Sequence, residues 1–436
     1  MKKNVEIKKL GINGEGIGYI DRKIVFVPGA LPQEEVIVEI IKQARTYSEG
    51  KLLQVVKPSK DRVTPKCRSY DNCQGCTMLH LSYFKQLNAK KEAVRESIRK
   101  YTEYDLSRTI FKDVIAAPSQ EGFITAVNLP IVDFKGKISF GIYQRDSKYL
   151  TLMTRRFKQH PIINECLLKL EEILTTNKCK TYSDKFRTGL RFLKVKLIDN
   201  KLQLVFITGR DGLKEEIVKE ISQLPHVASI FMSVNTSKHQ EFDELGYSKL
   251  YGATRLELHD DKNQYLVSVK SKLPENIEMM WKQNQTIKSL VQDSQKIISL
   301  NCGIGLLELN LDQEIVAIDE KRYQIDDAKL NAKYLKKENV TFILDSVVKE
   351  ICGEIQVEGL ELQNLKTGEK KKLPVSGVFV AVGQIPKNDP FENVVKLDAD
   401  GFILAAEDCM TSGAGIFAAG DCRTKEVRQL TTAAAD

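Results

Sequence analysis

IISLNCGIGLLEL at residues 297–309, followed by EIVAIDEKRYQIDDAKLNAKYL at 314–335, is the stretch that decides the fold class. The first segment is a short apolar strand running into a turn that carries Gly303 and Gly305. The second is another apolar strand, ending on Asp319, and then a helix. Strand, glycine turn, strand and helix in that order open a doubly wound α/β domain. Glycine at 303 and 305 lets backbone approach a ligand where a Cβ would intrude. Asp319, closing the second strand, is placed to accept hydrogen bonds from ribose hydroxyls. A lone G-x-G is a weak signal, and the acidic strand end with Asp327-Ala-x-x-Asn-Ala332 strengthens it.

Toward the N-terminus the period changes. VEIKKLG (5–11), the glycine-dense INGEGIGYI (12–20), KIVFVPGALP (23–32), EEVIVEII (34–41) and KLLQVVK (51–57) alternate Val and Ile with Gly and Pro punctuation. That pattern predicts a small β-barrel over residues 1–58. Its glycines do not form a dinucleotide fingerprint, because Tyr19 stands where the third glycine is needed. Between the barrel and the glycine turn, strands such as GLRFLKVKLIDNKLQLVFITG and LPHVASIFMSVNTSK flank the amphipathic helix LKEEIVKEISQL, an α+β region.

The chain has 436 residues, room for about three domains. Its 66 Lys and Arg against 58 Asp and Glu are unevenly spread. Residues 341–436 carry a net charge of −5, which leaves +13 on residues 1–340. A basic excess of that kind suits an anionic partner such as nucleic acid. No apolar run approaches the ~18 residues of a membrane span, so no membrane partner is expected. MKKNVEIKKL has no apolar segment after it, so no secretory signal is visible. Nine unevenly spaced cysteines suit a reduced cytoplasmic setting, where a cluster means metal or catalysis.

The cysteine cluster is Cys67-x5-Cys73-x2-Cys76, in PKCRSYDNCQGCTMLHLSYFKQL. Three thiols in ten residues can wrap a soft metal or an iron–sulfur cluster. A redox C-x2-C pair is disfavoured, since no thioredoxin-like βαβ unit surrounds it.

The barrel resembles a TRAM domain, an OB-like RNA-binding barrel, through GINGEGIGYID, VFVPGALPQEEV and SKDRVTPKC. Residues 1–340 as a whole resemble the TRAM-containing 23S rRNA (uracil-5-)-methyltransferases, with C-RSYDN-CQGC-TMLHLSY as the most specific match. The resemblance implies four pieces: a TRAM barrel at 1–58, a cysteine loop with a central RNA-binding domain at 59–275, a partial Rossmann-like S-adenosylmethionine (SAM) region at 276–340, and rRNA as partner. It implies that Cys67, Cys73 and Cys76 hold three corners of a 4Fe–4S cluster. It also implies that Asn284, Gly303, Gly305 and Asp319 bind SAM.

The departures are specific. Arg156 stands where the family has its fourth cluster thiolate, and Cys166, ten residues on, reads as a core residue of a helix. The family's basic Y-R-N-K segment is Phe123-Ile124-Thr125-Ala126. Lys282 in MWKQN replaces a glutamine, and Ser299 replaces the motif aspartate. The aspartate-proline-proline-arginine loop, the nucleophilic cysteine turn and the carboxylate base of the family do not occur, so no catalytic residue is assigned. Cys302 belongs to the cofactor loop. Cys352, Cys409 and Cys422 are the remaining thiols of the C-terminal part.

From about residue 341 the chain resembles thioredoxin reductases instead. VTFILDSVVKEICGEIQVEGLELQNLKTGEKKKLPVSGVFVAVGQIPKN matches closing hairpins of a nucleotide domain. GIFAAGD (415–421) matches the return into an FAD domain. The resemblance implies that Asp421, Arg428 and Gln429 border a flavin. The FAD fingerprint, the nicotinamide fingerprint and the redox C-x-x-C of that family are missing, so FAD is not expected to bind this piece. The join falls in NVTFIL, a strand that either family could supply, and reads as a gene fusion or an assembly join between two similar strands. Three functions follow: an RNA (uracil-5-)-methyltransferase-family protein lacking its catalytic cysteine and base, a non-catalytic RNA-binding module, or a fragment of an FAD/NADPH-linked oxidoreductase.

Overall fold

In the computed structural model the described residues are 2–67, 70, 73, 76–143, 150–152, 155–237, 246–375, 388–398, 401–405, 409–413, 415–418 and 422–424. They fall into two compact units. One comprises residues 1–116, 144–149 and 383–436, the other 117–143 and 150–382. The architecture is multidomain α/β with an N-terminal β-barrel.

In the first unit β1 (Lys2–Leu10), β2 (Gly16–Ile20), β3 (Lys23–Val27), β4 (Glu35–Gln43) and β5 (Tyr47–Lys57) form a closed barrel in the order β1-β2-β3-β5-β4. Alternate residues Val5, Ile7, Val25, Val27, Val36 and Val38 point inward and are buried. That alternation is what the period of two in the sequence encodes. Gly16 and Gly18 are packing residues. A Cβ at 18 would sit 2.3 Å from Val5 Cγ1 and 2.8 Å from the Glu6 carbonyl, which only glycine avoids.

The barrel is tied to the chain that leaves it by Glu34, which is fully buried. Its carboxylate accepts from the N–H groups of Leu31 (2.8 Å) and Ser59 (3.1 Å) and from Arg62 Nε (2.5 Å) and Nη2 (2.7 Å). Burial opposes its charge, yet Arg62 and the two N–H groups hold the carboxyl below the usual range. Helix α1 (Tyr83–Tyr101) follows the cysteine segment. Farther along this unit Val395, Ile403, Ala405 and Ala418 form a small cluster of their own.

The second unit contains β6 (Ala126–Phe134), β7 (Lys137–Tyr143), β8 (Leu150–Leu152), α2 (Pro161–Thr176), β9 (Leu190–Ile198), β10 (Lys201–Thr208), α3 (Glu215–Ser222), β11 (Val227–Val234) and β12 (Ser248–Gly252). The strands form one sheet in the order β12-β11-β10-β9-β6-β7-β8. Only β10 and β11 are parallel, and α3 is the crossover between them. Helix α2 buries Ile163, Cys166, Leu167, Leu170, Ile173 and Leu174 against this sheet. Each such fully buried Leu or Ile contributes about 1.5–3 kcal/mol.

A hairpin of β13 (Arg255–His259) and β14 (Gln264–Ser268) and helix α4 (Ile277–Leu290) come next. Then β15 (Lys296–Leu300), β16 (Glu314–Asp319), α5 (Arg322–Tyr334) and β17 (Val340–Leu344) build a parallel sheet in sequential order. The antiparallel meander of β18 (Ser346–Cys352), β19 (Gly359–Asn364) and β20 (Lys370–Pro374) lies on it. Leu360, Leu362 and Leu373 of the meander pack on Ile298, Val316 and Ile318. The crossover from β15 to β16 is short, with only the 3₁₀ turn Glu308–Asn310 between them.

Candidate functional site

The glycine loop leaves β15 through Asn301, whose φ is +58°, and reaches Gly303 at +56° and Gly305 at +84°. The two glycines do different things. A Cβ at 303 would meet nothing within 4 Å, so this backbone faces open space. A Cβ at 305 would lie 3.1 Å from Leu309 Cδ1 and 3.7 Å from Ala328, so Gly305 lets the turn pack on its own helix. Asp319 lies at the loop. Its Oδ2 accepts the Gly303 N–H at 3.0 Å and its Oδ1 the Lys321 N–H at 2.8 Å. A carboxylate has about four acceptor positions, so capacity remains for ribose hydroxyls. Asn284, on α4, donates to the Leu306 carbonyl at 3.2 Å and so supports the loop from behind.

Ser299, which stands in place of an aspartate, donates to Glu308 Oε1. Glu308 is buried, and burial raises its pKa above the ordinary carboxylate value. Its other oxygen, Oε2, is buried with no hydrogen-bond partner among the described residues. An acidic group is thus present beside the loop, but it comes from Glu308 rather than from residue 299. Cys302 is buried in the same turn, and burial together with Glu308 and Asp319 pushes its thiol strongly up. These surroundings disfavour its thiolate form.

Asp327 and Asn331, the two ends of the D-A-x-x-N-A motif, are braces. Asp327 accepts from Ser268 Oγ (2.5 Å), Ser271 Oγ (2.8 Å) and Arg255 Nη2 (3.2 Å). Asn331 exchanges two hydrogen bonds with the Leu266 backbone and donates to the Ile304 carbonyl at 3.3 Å. Spaced four apart on α5, they fasten the helix to the β13–β14 hairpin and hold the glycine loop in place. A second network was not anticipated from the sequence. Asp260 Oδ2 accepts from Tyr265 Oη (3.0 Å) and Asn310 Nδ2 (2.8 Å), and Asn263 donates to Asn310 Oδ1 (2.8 Å). These residues lie up to fifty positions apart, and no local pattern marks them.

In the cysteine segment Cys67, Cys73 and Cys76 are half-buried and free. Among the described residues no group of three or more His, Cys, Asp or Glu is arranged to hold a metal ion. The segment is stitched by Tyr70, whose hydroxyl lies 2.5 Å from His80 Nδ1 and 3.3 Å from the Thr77 carbonyl. Burial lowers the His80 pKa to about 4 and raises the Tyr70 pKa to about 12, so a neutral phenol meets a neutral imidazole. Cys166 sits in the core of α2 with its thiol pushed up to about 12 by burial. Asp421, Arg428 and Gln429, the flavin-type residues, lie outside the described residues.

A basic, aromatic corner projects from the central sheet. The turn Ser183–Thr188 carries Lys185, Phe186 and Arg187, with Phe186 67% exposed and Lys185 Nζ 5.3 Å from its ring. On the neighbouring strand Arg191 lies 5.0 Å over Tyr182. Exposed aromatic rings among cations suit nucleic acid.

Comparison with known proteins agrees with this geometry. Residues 2–53 match the TRAM domain family, and residues 297–436 match the pyridine nucleotide-disulphide oxidoreductase family. An RNA methyltransferase of Enterococcus faecalis is 31% identical over 392 residues, 85% of this chain and 84% of the relative. The chain belongs to the TRAM-containing RNA methyltransferases. A second such methyltransferase, from Halalkalibacterium halodurans, is 30% identical over 79% of this chain and 77% of its own length. The Pyrococcus abyssi tRNA (uracil-54, C5)-methyltransferase, solved with S-adenosyl-L-homocysteine, shares the methyltransferase fold at a TM-score of 0.62. It is 20% identical and covers 82% of this chain and 81% of that one. The oxidoreductase match begins at residue 297 and so overlaps the glycine loop, well before residue 341. Among the described residues no helix is long and apolar enough to cross a membrane.

Proposed function

We propose that this methyltransferase-family chain binds rRNA through its barrel and the basic corner of its central sheet. It holds SAM on the open backbone at Gly303, with Asp319 on the ribose, and does not itself complete methyl transfer to uracil. When bound, SAM supplies the electrophilic methyl group. In the uracil-5 chemistry that the resemblance implies, a thiolate must first add to C6 so that C5 becomes nucleophilic, and a base must then remove the C5 proton. The observation that carries the reading is Cys302. The one thiol on the glycine loop is buried, and burial with the nearby Glu308 and Asp319 disfavours its thiolate. Removing nucleophile and base together costs many powers of ten in rate.

The test is labelled-methyl transfer from SAM to uridine-containing rRNA, with SAM binding measured in parallel. SAM bound, and bound less well by Asp319→Ala, with no label in RNA, is the expected result. Label in RNA above a no-enzyme control, or a covalent adduct with 5-fluorouridine RNA, overturns it.

The oxidoreductase match favours a second reading, a flavin- or NADPH-linked piece. Against it, Glu308 stands where a dinucleotide fingerprint needs its third glycine, and a three-residue turn replaces the helix whose N-terminus would face a pyrophosphate. Flavin absorbance in the purified protein would support this second reading.

A further inference from the structure

Beside the glycine loop, an open cleft of about 510 Å³ is lined by His259, Asp260, Asp261, Lys262, Trp281, Asn284, Gln285, Lys288 and Asn310. That volume lies in the usual range for small-ligand sites, about 300–1,000 Å³. Neither Gly303 nor Asp319 lines it. We propose that this cleft takes one unpaired nucleotide of the RNA, with its base on Trp281, its base edge read by Gln285 and Asp261, and its phosphate on Lys262. The proposal rests on the RNA-binding reading above.

The elements place these groups for mechanical reasons. Trp281, Asn284, Gln285 and Lys288 are spaced three, four and seven along α4 and so share one face. The opposite wall is the turn between β13 and β14. That wall is held by Asp260, whose carboxylate accepts from the Lys262 and Asn263 N–H groups, Tyr265 Oη, Asn310 Nδ2 and Asn263 Nδ2. Lys288 is part of the same frame, donating to the Asn310 carbonyl at 2.7 Å. His259 is fixed through Nδ1 on Asp199 at 2.5 Å, which leaves Nε2 as its remaining polar atom.

Three groups in this frame have no partner to satisfy. The Trp281 N–H, the Gln285 amide and the Lys262 ammonium make no hydrogen bond or ion pair among the described residues. Trp281 stacks on the fully buried Tyr265 with ring centroids 5.8 Å apart and 28° between planes, so its orientation is set before any ligand arrives. A pre-set indole is a stacking platform for a flat heterocycle. An amide and a carboxylate lining one cleft offer both donor and acceptor to a base edge, and the Lys262 cation in the same lining suits a phosphate. The combination fits a nucleotide better than an apolar or purely anionic ligand.

Trp281 is the one tryptophan in the chain, so tryptophan emission reports on this position. Titrating the full chain with short unstructured oligouridylate and oligoadenylate should quench it at the concentrations where filter binding shows complex. Gln285→Ala should weaken the quenching transition about tenfold, and Trp281→Phe, which keeps a stacking face, should weaken filter binding far less than Trp281→Ala. Lys262→Ala should lower the salt slope of binding by about one. Oligonucleotide bound with unchanged tryptophan emission overturns the cleft assignment and leaves the RNA reading standing. Quenching by S-adenosylhomocysteine but not by oligonucleotide assigns the cleft to the cofactor and also overturns it. No RNA bound even at low salt removes the RNA reading, and this inference falls with it.

Discussion

Glu34 braces the first unit from inside the barrel. It is a fully buried carboxylate that satisfies two backbone N–H groups and one guanidinium at once. Its pKa is lowered in the fold, so its contribution to stability is fully present above the unfolded value near 4.5 and is lost as pH falls through the folded value. Glu34→Gln leaves Arg62 without its partner in a largely buried setting and should cost about 3 kcal/mol or more. Hydrogen exchange of the barrel amides in the full chain would read this directly. The wild type should lose protection on acidification below pH 4.5, whereas the variant should start lower and change less. An unchanged exchange pattern in Glu34→Gln would show that the brace is dispensable. Nothing in the sequence around QEEV singles out Glu34 over Glu35, because only the closed barrel puts one inside and the other in solvent.

At the scale of elements, the cysteine segment and α5 make an instructive pair. Both carry motifs with specific spacing. On α5 the spacing of Asp327 and Asn331 has a structural meaning that the helix makes visible, since both side chains reach the β13–β14 hairpin. In the cysteine segment the residue types point to iron and sulfur, and the three thiols are half-buried and free. We propose that iron and sulfide organise the three thiols when they bind, and the prediction is direct. Anaerobic reconstitution should load iron with absorbance near 400 nm, as expected of iron–sulfur chromophores. Cys73→Ser should abolish that loading, while Cys166→Ser should leave it intact because Cys166 packs in the α2 core. Iron retained fully by Cys73→Ser would remove the cluster proposal, and iron lost in Cys166→Ser would make that residue a ligand.

For the whole molecule the charge split is the controlling quantity. Residues 1–340 carry +13 and residues 341–436 carry −5, so a phosphate backbone should be held by the former. Affinity for rRNA should therefore fall steeply with salt, log K declining linearly with log salt concentration, as each released counterion contributes. Phe186→Ala should weaken binding without changing that slope, because stacking releases no counterions, whereas Arg187→Ala should lower the slope by about one. A salt-independent affinity would exclude phosphate recognition as its source.

Periodicity in the sequence was enough for the barrel, α2, α3 and the strand–turn–strand–helix run at 297–335, because burial of alternate or helically spaced apolar side chains is a local code. It also put Gly303 in the turn and Asp319 at the strand end, where the structure has them. What Gly305, Asp327 and Asn331 do was decided by tertiary structure, as was the replacement of the residue 299 carboxylate by Glu308. So was the cleft at Trp281. Each of these depends on which segments distant in sequence meet across a packed interior, and side-chain hydrogen bonds between residues fifty positions apart leave no period to read.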